Sequence, residues 1–425
     1  MTDVPDGPYD VLVVGGGPAG STIAALLAQR GEKVLLVEKD RHPRFHIGES
    51  LLPMNLPLLE QLGVKDAVEG IGQPKFAAEF VSPHHGKTVT YDFANAWDKS
   101  VFYSFQVRRS EFDHILIRNA EAKGAQVLEG CRIGAVEFPE AGGVIATGQD
   151  SDGQTRAFTA TFLVDASGRD TLMAGKRAIK QRNRRHASAA VFAHFTGAAR
   201  LPGKAAGNIT IFWFDHGWFW YIPLADGTTS IGAVCPPAFM KTRDTDVTSF
   251  LRRLIAMSPP LTERLKDAEM TGPAVATGNY SYEMDRMSGP NFILLGDAFA
   301  FVDPVFSTGV YLAMKSAFLG VDAVQACLHR PGAEAVRARQ RFEAEIRKAL
   351  ARFSWYIYRV NRPAMRDLFM GPRSYFRIDE AMLSMLSGDV FRPSPIHWRL
   401  ALFKGIYHIK NFALNHPRWF GAREA

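Results

Sequence analysis

Residues 15–20, with the sequence GGGPAG, constrain this chain more than any other segment. They follow an apolar run at 9–14 and precede a helical pattern at 21–28, and a second apolar run covers 33–37. The order strand, glycine turn, helix and strand predicts a βαβ unit with a parallel sheet. In that context G-x-G-x-x-G indicates dinucleotide binding, because glycines let backbone N–H groups approach a pyrophosphate at the positive end of the helix. The residues predicted to form this contact are Gly15, Gly17, Pro18, Ala19 and Gly20.

A carboxylate at the end of the second apolar run completes the pattern. Glu38 stands 18 residues after Gly20. In dinucleotide-binding folds a carboxylate at this point accepts hydrogen bonds from ribose hydroxyls and repels the 2′-phosphate of NADP. We predict that Glu38 and the adjacent Lys39 contact the cofactor, which could at this point be NAD or FAD.

Other strand patterns lie far apart along the chain. Buried-strand runs recur at 161–164 and 291–295, so the first domain is predicted to be discontinuous. Between them, runs at 189–195, 208–214, 218–223 and 228–234 predict a second, largely antiparallel sheet. The predicted fold class is α/β. It has a Rossmann-like cofactor-binding domain (1–75, 105–170 and 276–330), a substrate-side β-sheet domain (76–104 and 171–275) and a C-terminal helical region (331–425).

Composition excludes several classes of protein. With 47% hydrophobic and 22% charged residues the chain is globular, which excludes a disordered or collagen-like protein. Three scattered cysteines without C-x-x-C spacing predict a reducing compartment, the cytoplasm, and argue against a metal site. The uncharged stretch 11–29 imitates a membrane span, but the GGGP sequence in its middle breaks a helix. We therefore expect no membrane span.

The positive charge is concentrated towards the C-terminus. The net charge is +7, whereas residues 331–425 hold 17 Lys+Arg against 8 Asp+Glu, or +9. Such a region can attract an anionic partner, although a solvated basic helix face is the simpler reading. No nucleic-acid-binding motif accompanies the charge, so we expect no nucleic acid partner.

Four further segments carry a family resemblance. They are RHPRFHIGESLLP at 41–53, QVRRSEFD at 106–113, DASGR at 165–169 and GD at 296–297. In this order they resemble the motifs of the FAD-dependent aromatic-hydroxylase and flavin-halogenase superfamily. The resemblance implies FAD as the cofactor, and it implies contacts to FAD from Arg44, Gly48, Glu49, Ser50, Arg109, Asp165, Gly296, Asp297, Pro304 and Gly309. No second G-x-G-x-x-G follows a strand, so reduced flavin (FADH2) is expected from a separate reductase.

Two motifs resemble the signatures of flavin-dependent halogenases. WFWYIP at 218–223 matches W-x-W-x-I-P, and FVDPVFSTG at 301–309 matches F-x-x-P-x-x-S-x-G. Strand alternation predicts Trp218 and Trp220 on one face. The resemblance implies that Ser307, Thr308 and Gly309 bind halide at a helix start. It also implies that Trp218, Trp220 and Phe306 line the route to the substrate. Core packing is the plainer reading of the tryptophans.

A lysine falls where these halogenases carry their catalytic one. Lys75 in QPKFAA matches K-x-G-A, except that Ala77 replaces the glycine. The resemblance implies that reduced FAD, O2 and chloride or bromide yield hypohalous acid, which Lys75 then passes to the substrate. A buried lysine has a pKa that is easily lowered and can act in either protonation state. Taken without its motif, the same residue would be read as a surface cation.

These observations lead to one main hypothesis and two alternatives. The main one is an FADH2-dependent halogenase of an electron-rich ring, a phenol or pyrrole, either free or tethered to an acidic carrier protein that the basic C-terminal region would suit. Tryptophan halogenases are usually longer, which disfavours free tryptophan. The first alternative is a monooxygenase or prenyl-chain reductase on the same scaffold, which would not need Lys75. The second is a flavin-binding module without turnover.

Overall fold

The computed structural model describes residues 8–416, without the side chains at 184, 185, 279 and 280. The outermost residues of the first predicted domain (1–7) and of the basic C-terminal region (417–425) therefore lie outside the described residues. Within 8–416 the strands are β1 (Tyr9–Val14), β2 (Val34–Glu38), β3 (Gln73–Lys75), β4 (Ala77–Ser82), β5 (Lys87–Asp92), β6 (Ser104–Gln106), β7 (Gln126–Glu129), β8 (Cys131–Glu137), β9 (Val144–Asp150), β10 (Thr155–Asp165), β11 (Lys180–Thr196), β12 (Ile209–Phe214), β13 (Gly217–Pro223), β14 (Thr229–Cys235), β15 (Glu269–Met270), β16 (Val275–Met284), β17 (Ser288–Gly289), β18 (Phe292–Leu294) and β19 (Ala300–Phe301).

Helices cover the faces of the sheets and form the C-terminal third. They are α1 (Pro18–Gln29), α2 (Leu56–Leu62), α3 (Lys65–Ile71), α4 (Arg109–Ala122), α5 (Pro237–Met240), α6 (Val247–Ala256), α7 (Pro259–Arg264), α8 (Thr308–His329), α9 (Ala333–Ile357), α10 (Pro363–Met370), α11 (Ile378–Leu386) and α12 (Ile396–Asn415). No helix within residues 8–416 is long and apolar enough to cross a membrane.

The first sheet contains the glycine turn. Its order is β17-β18-β10-β1-β2-β7, and β1 pairs in parallel with both β2 and β10. The central strands are buried apolar runs, because α1 and α4 pack together on the sheet and α8 packs beside α1. The predicted βαβ unit and the discontinuous assembly of this sheet, with β10 and β18 beside β1, are as the sequence indicated.

The second sheet faces the first across the interior. Its order is β19-β16-β11-β14-β13-β12-β4-β5, antiparallel apart from the parallel pair of β12 and β4. Alternation along β13 divides its aromatic side chains between two cores. Trp218 and Trp220 join the core shared with the first sheet, whereas Phe219 and Tyr221 pack in the core under α6.

Two strands, β16 and β19, lie in the other sheet from the one that the predicted boundaries imply. Residues from 276 onward were assigned to the cofactor domain, but β16 pairs with β11, and β19 pairs with β16, so both strands belong to the second sheet. The physical reason is the length of β11, which offers a ladder of hydrogen bonds along most of β16. The chain returns to the first sheet only at β17 and β18.

Candidate active site

A cavity of about 840 Å³ lies between the two sheets, at the carboxyl ends of β1 and β2. This volume is at the upper end for ligand pockets, as a dinucleotide requires. Most of the predicted cofactor contacts line it, namely Gly15, Gly17, Pro18, Ala19, Glu38, Lys39, Arg44, Gly48, Glu49, Ser50, Arg109, Asp297, Pro304 and Gly309. Gly20, Asp165 and Gly296 do not line the cavity.

The glycine turn brings backbone close to backbone at the edge of this cavity. Gly15 has φ +104°, and a Cβ on it would lie 2.3 Å from the carbonyl oxygen of Ala166. A Cβ on Gly20 would lie 1.8 Å from the carbonyl oxygen of Gly15. Only glycine fits at either position. Gly20 therefore shapes the turn from behind, and the start of α1 at Pro18 presents free backbone N–H groups to the cavity.

Glu38 closes the turn from the other side. Its Oε2 accepts a hydrogen bond from the backbone N–H of Gly16 at 2.5 Å, and its Oε1 accepts one from Asp40 at 2.9 Å. The neighbouring Lys39 pairs with Asp170 across the cavity mouth at 2.5 Å. Glu38, the carboxylate predicted to bind a ribose of the cofactor, therefore also stabilises the backbone at Gly16 and Asp40.

A compact cluster of charges forms the wall beside the glycine turn. The Arg109 guanidinium donates two hydrogen bonds to the buried Asp113 carboxylate, at 2.7 and 2.9 Å, and Arg44 lies 3.3 Å from the same carboxylate. Burial alone would raise the pKa of Asp113, but Arg109 and Arg44 hold it below its ordinary value. The positive charge of Arg109, together with burial, lowers the pKa of the nearby His46 to about 4. Two fixed cations and a neutral imidazole therefore face the cavity, an arrangement suited to phosphate groups.

The two predicted aspartates have different surroundings. Asp297 lines the cavity, and burial raises its pKa to about 6 although Arg169 and Arg109 oppose the shift. Asp165 lies behind the wall, where it accepts hydrogen bonds from the backbone and hydroxyl of Ser167, at 3.0 and 2.6 Å, and from the backbone of Met173 at 3.0 Å. Its oxygens are occupied by the chain itself, so it supports the strand end and Ser167 takes its place in the cavity wall.

The tryptophans of β13 form the opposite wall. The rings of Trp218 and Trp220 both line the cavity, with centroids 6.2 Å apart. Trp220 donates through its indole nitrogen to Ser230 at 3.1 Å, and Gly232 leaves room for its ring, since a Cβ there would lie 2.3 Å from it. These side chains are thus both core residues and lining residues.

The predicted halide-binding turn begins α8. Ser307 adopts a left-handed conformation (φ +57°) as the residue before the helix, and Ser307 and Gly309 line the cavity. Thr308 is buried, and its hydroxyl has no hydrogen-bond partner among the described residues. Phe306 points away from the cavity and stacks on Phe369 of α10 with ring centroids 6.0 Å apart.

Lys75 is buried directly behind the cavity wall. Its side chain is among the most buried of the described residues, and its Nζ donates to the Ser50 hydroxyl at 3.0 Å and to the Leu51 carbonyl at 2.5 Å. Burial lowers its pKa to about 7. Lys75 itself does not line the cavity, but Ser50 does. The amine is therefore one hydrogen bond away from the site at which the cofactor motifs converge.

Sequence reasoning missed several residues of this site. His194 on β11 lies 2.8 Å from Glu49, whose second oxygen is buried without a hydrogen-bond partner among the described residues. Asp113 pairs with Arg109, and Asp303 accepts hydrogen bonds from Ser188 at 2.8 Å and from the Val305 backbone at 3.2 Å. Asp303 did carry a local signal, because an Asp followed by a proline commonly caps a short helix. His194 carried none, since its partner is 145 residues away.

The fold and the cavity define a Rossmann-type dinucleotide-binding protein in which a second sheet covers the cofactor side. Comparison with known proteins identifies the family. Residues 10–99 and 88–363 match the family model described as tryptophan halogenase, and the chain belongs to this family. The expectation of an FAD-dependent halogenase fold is thereby confirmed.

Curated relatives include enzymes of different substrates. Over 325 residues the chain is 38% identical to a tryptophan 2-halogenase of Chondromyces crocatus, covering 75% of this chain and 61% of that protein. Over 416 residues it is 30% identical to a 1H-pyrrole-2-carbonyl-(peptidyl-carrier protein) chlorinase of Pseudomonas fluorescens, covering 91% and 90% of the two chains. Among solved structures, the myxobacterial chondrochloren halogenase is 30% identical with a TM-score of 0.78, covering 96% of this chain and 97% of that one.

Proposed function

We propose that this protein is an FADH2-dependent halogenase that uses O2 and chloride or bromide to halogenate an electron-rich aromatic ring, a phenol or a pyrrole. The observation that carries the proposal is Lys75, a buried amine bonded to Ser50 in the wall of a dinucleotide-sized cavity. A solvated surface lysine would have served no such chemistry.

The residues present fit FAD. The glycine turn and the start of α1 would hold the pyrophosphate, Arg44 and Arg109 would balance its charge, and Asp297 and the Trp218–Trp220 wall would face the flavin part. When bound and reduced, FAD supplies the electrons that turn O2 and halide into an electrophilic halogen species.

The chain's own groups then direct that species. Ser307 and Gly309 at the start of α8 would seat the halide, because helix N-termini offer free N–H groups to anions. With a pKa of about 7, Lys75 is available near neutral pH as an ammonium that donates hydrogen bonds and as a neutral amine that can accept halogen. Ser50 stands between the amine and the cavity and would have to move aside or take part in the transfer.

The partners follow from the same chemistry. We infer that a separate reductase supplies the reduced flavin. We also infer that the aromatic substrate arrives either free or attached to a carrier protein, as the name of the Pseudomonas fluorescens relative states for that enzyme. The cysteines at 131, 235 and 327 are unpaired, which agrees with a reducing cytoplasmic location.

The test is mass spectrometry of phenols and pyrroles, free and carrier-bound, incubated with the protein, FAD, a flavin reductase and bromide. We expect a product that gains bromine, and we expect Lys75→Met to lose it while FAD binding, measured by flavin absorbance, is retained. Lys87→Met, an exposed lysine on β5, serves as the matched control and should keep full activity. A product that gains oxygen, or one formed equally well by Lys75→Met, would show a monooxygenase or reductase instead.

A further inference from the structure

Helix α12 is apolar on two opposite faces. One face packs into the protein through Ile396, Leu400, Phe403 and Tyr407. The opposite face carries what we call the apolar stripe, consisting of Trp398, Leu402, Ile406 and Ile409. A helix needs only one apolar face to pack onto its own domain.

The apolar stripe is continuous and exposed. Its residues follow the spacing i, i+4, i+8 and i+11, which places them on one side of the helix. Their exposed fractions are 50%, 36%, 37% and 67% in chain order. Large apolar side chains grouped in this way mark a surface that binds a partner.

The charged residues of helix α12 itself are all basic. Residues 390–416 contain no Asp or Glu. By helical geometry Arg399 and Lys410 flank the stripe on one side, whereas Lys404 lies beside the buried face, with its Nζ 4.9 Å from the centre of the Trp355 ring of α9. Lys410 pairs with Asp367 of α10 at 2.8 Å. Arg399 forms no ion pair in the described part of the chain; it donates to the Phe376 carbonyl at 2.8 Å and stacks on the Trp398 ring.

The apolar stripe lies near the proposed catalytic amine. Helix α12 packs on α11, and α11 packs on the short helical turn that contains Phe93. The ring of Phe93 lies 5.4 Å from the Nζ of Lys75. Two layers of packed elements, roughly 20 Å, therefore separate the apolar stripe from the amine.

We propose that the apolar stripe and its flanking cations are the docking surface for an acidic helical carrier protein that delivers the tethered aromatic substrate. This inference rests on the proposed function and deepens it by naming the partner's binding site. An amphipathic helix with acidic residues beside its apolar face complements α12 in both shape and charge. The distance of roughly 20 Å between the apolar stripe and Lys75 is one that a substrate attached to the carrier protein by a flexible linker could span.

Pairing with a second copy of the chain is disfavoured by the same charges. A symmetric dimer through α12 would place its cations against the identical cations of the partner helix, with no carboxylate on either helix to compensate. An anionic membrane surface would also be attracted by these cations. Binding to anionic vesicles is therefore measured alongside binding to the carrier protein.

The experiment measures binding of a fluorescent peptidyl carrier protein, acidic and loaded with pyrrole-2-carboxylate as a thioester, to the full-length FAD-loaded enzyme. Two double variants test the surface, Ile406→Glu with Ile409→Glu and Arg399→Glu with Lys410→Gln. We expect each to weaken binding by about tenfold or more. Met257→Glu, an apolar residue 44% exposed at the end of α6, is the matched control and should bind as the unaltered enzyme does.

Further measurements distinguish the carrier protein from other partners of the apolar stripe. Carrier binding should weaken as salt is added, and turnover of the tethered pyrrole should fall more in the double variants than turnover of a free one. The proposal is overturned if the unaltered enzyme does not bind the carrier protein, or if Met257→Glu weakens binding equally. It is also overturned if the double variants instead abolish binding to phosphatidylglycerol vesicles or dissolve a dimer seen by light scattering. A failure of the proposed function would appear separately, as absent bromination of free phenols and pyrroles.

Discussion

At the residue scale, the chemistry of this site depends on where a few titratable side chains are buried. Lys75 is surrounded by neutral partners, the Ser50 hydroxyl, the Leu51 carbonyl and the Phe93 ring. None of these compensates a positive charge as a carboxylate would, so burial dominates its pKa. Asp303, beside the turn proposed to bind halide, shows the corresponding effect for a carboxylate, since burial raises its pKa to about 6.

Burial of the Lys75 amine should change how the free energy of unfolding depends on pH. The folded state releases the Lys75 proton at about pH 7, whereas an unfolded lysine keeps it to about 10.5. The free energy of unfolding therefore gains a contribution that rises with pH between these values, with a slope of at most about 1.4 kcal/mol per pH unit. We expect Lys75→Met to lose this rise in urea unfolding at pH 7 to 9. Lys87→Met should keep it, and equal slopes in all three proteins would contradict the burial of the amine.

Asp303 should give the opposite sign. Its pKa is raised from 3.8 to about 6, so the folded state holds the proton across that interval and the unfolded state does not. Its contribution to the free energy of unfolding therefore decreases as pH rises from about 4 to 6. The difference in stability between Asp303→Asn and the unaltered protein should shift in favour of the variant over this range. Asp66→Asn, on an exposed part of α3, provides the control, and a pH-independent difference for Asp303→Asn would refute the assignment.

At the scale of elements, short turns position the starts of long helices. The glycine turn links β1 to α1 with no room for a side chain, and the left-handed Ser307 links the Pro304–Phe306 turn to α8. Both turns place a helix N-terminus at the cavity. The cofactor and the halide are thus expected at two helix starts that different parts of the chain supply.

The glycine turn can be tested against a matched glycine. Gly15→Ala should abolish FAD binding, because its Cβ would lie 2.3 Å from the Ala166 carbonyl oxygen. Gly31 also has a positive φ, +92°, but no atom lies within 4 Å of the added Cβ. Gly31→Ala should therefore cost only about 1 kcal/mol in backbone strain and retain FAD. Flavin absorbance after gel filtration measures FAD binding by both variants. Retention of FAD by Gly15→Ala would contradict the proposed role of the glycine turn in binding the cofactor.

At the scale of the whole molecule, the cavity lies between two sheets that share one hydrophobic core. A ligand that bridges the two sheets stabilises only the folded arrangement. FAD at about 100 times its dissociation constant should then raise the free energy of unfolding by about 2.7 kcal/mol. Thermal unfolding with and without FAD measures this. A shift produced by NAD and not by FAD would overturn the choice of cofactor.

Local patterns in the sequence determined the elements around the site. Strand, glycine turn, helix and strand occur where periodicity predicted them, and the alternation in WFWYIP placed Trp218 and Trp220 together on one face. Both are local properties, since a strand repeats every two residues and a helix every 3.6 residues. The two halogenase motifs could be read for the same reason, because each lies within one short segment.

Tertiary packing decided what no local pattern contains. The sequence did not indicate that Ser50 stands between Lys75 and the cavity, that Asp165 is saturated by its own loop, or that Phe306 turns towards Phe369. Nor did it indicate the pairing of β16 with β11 or the contact of His194 with Glu49. Each of these depends on groups brought together from distant segments or on competition for hydrogen bonds and space at one point. Sequence periodicity records which side of an element is apolar, whereas only the packed chain determines what that side meets.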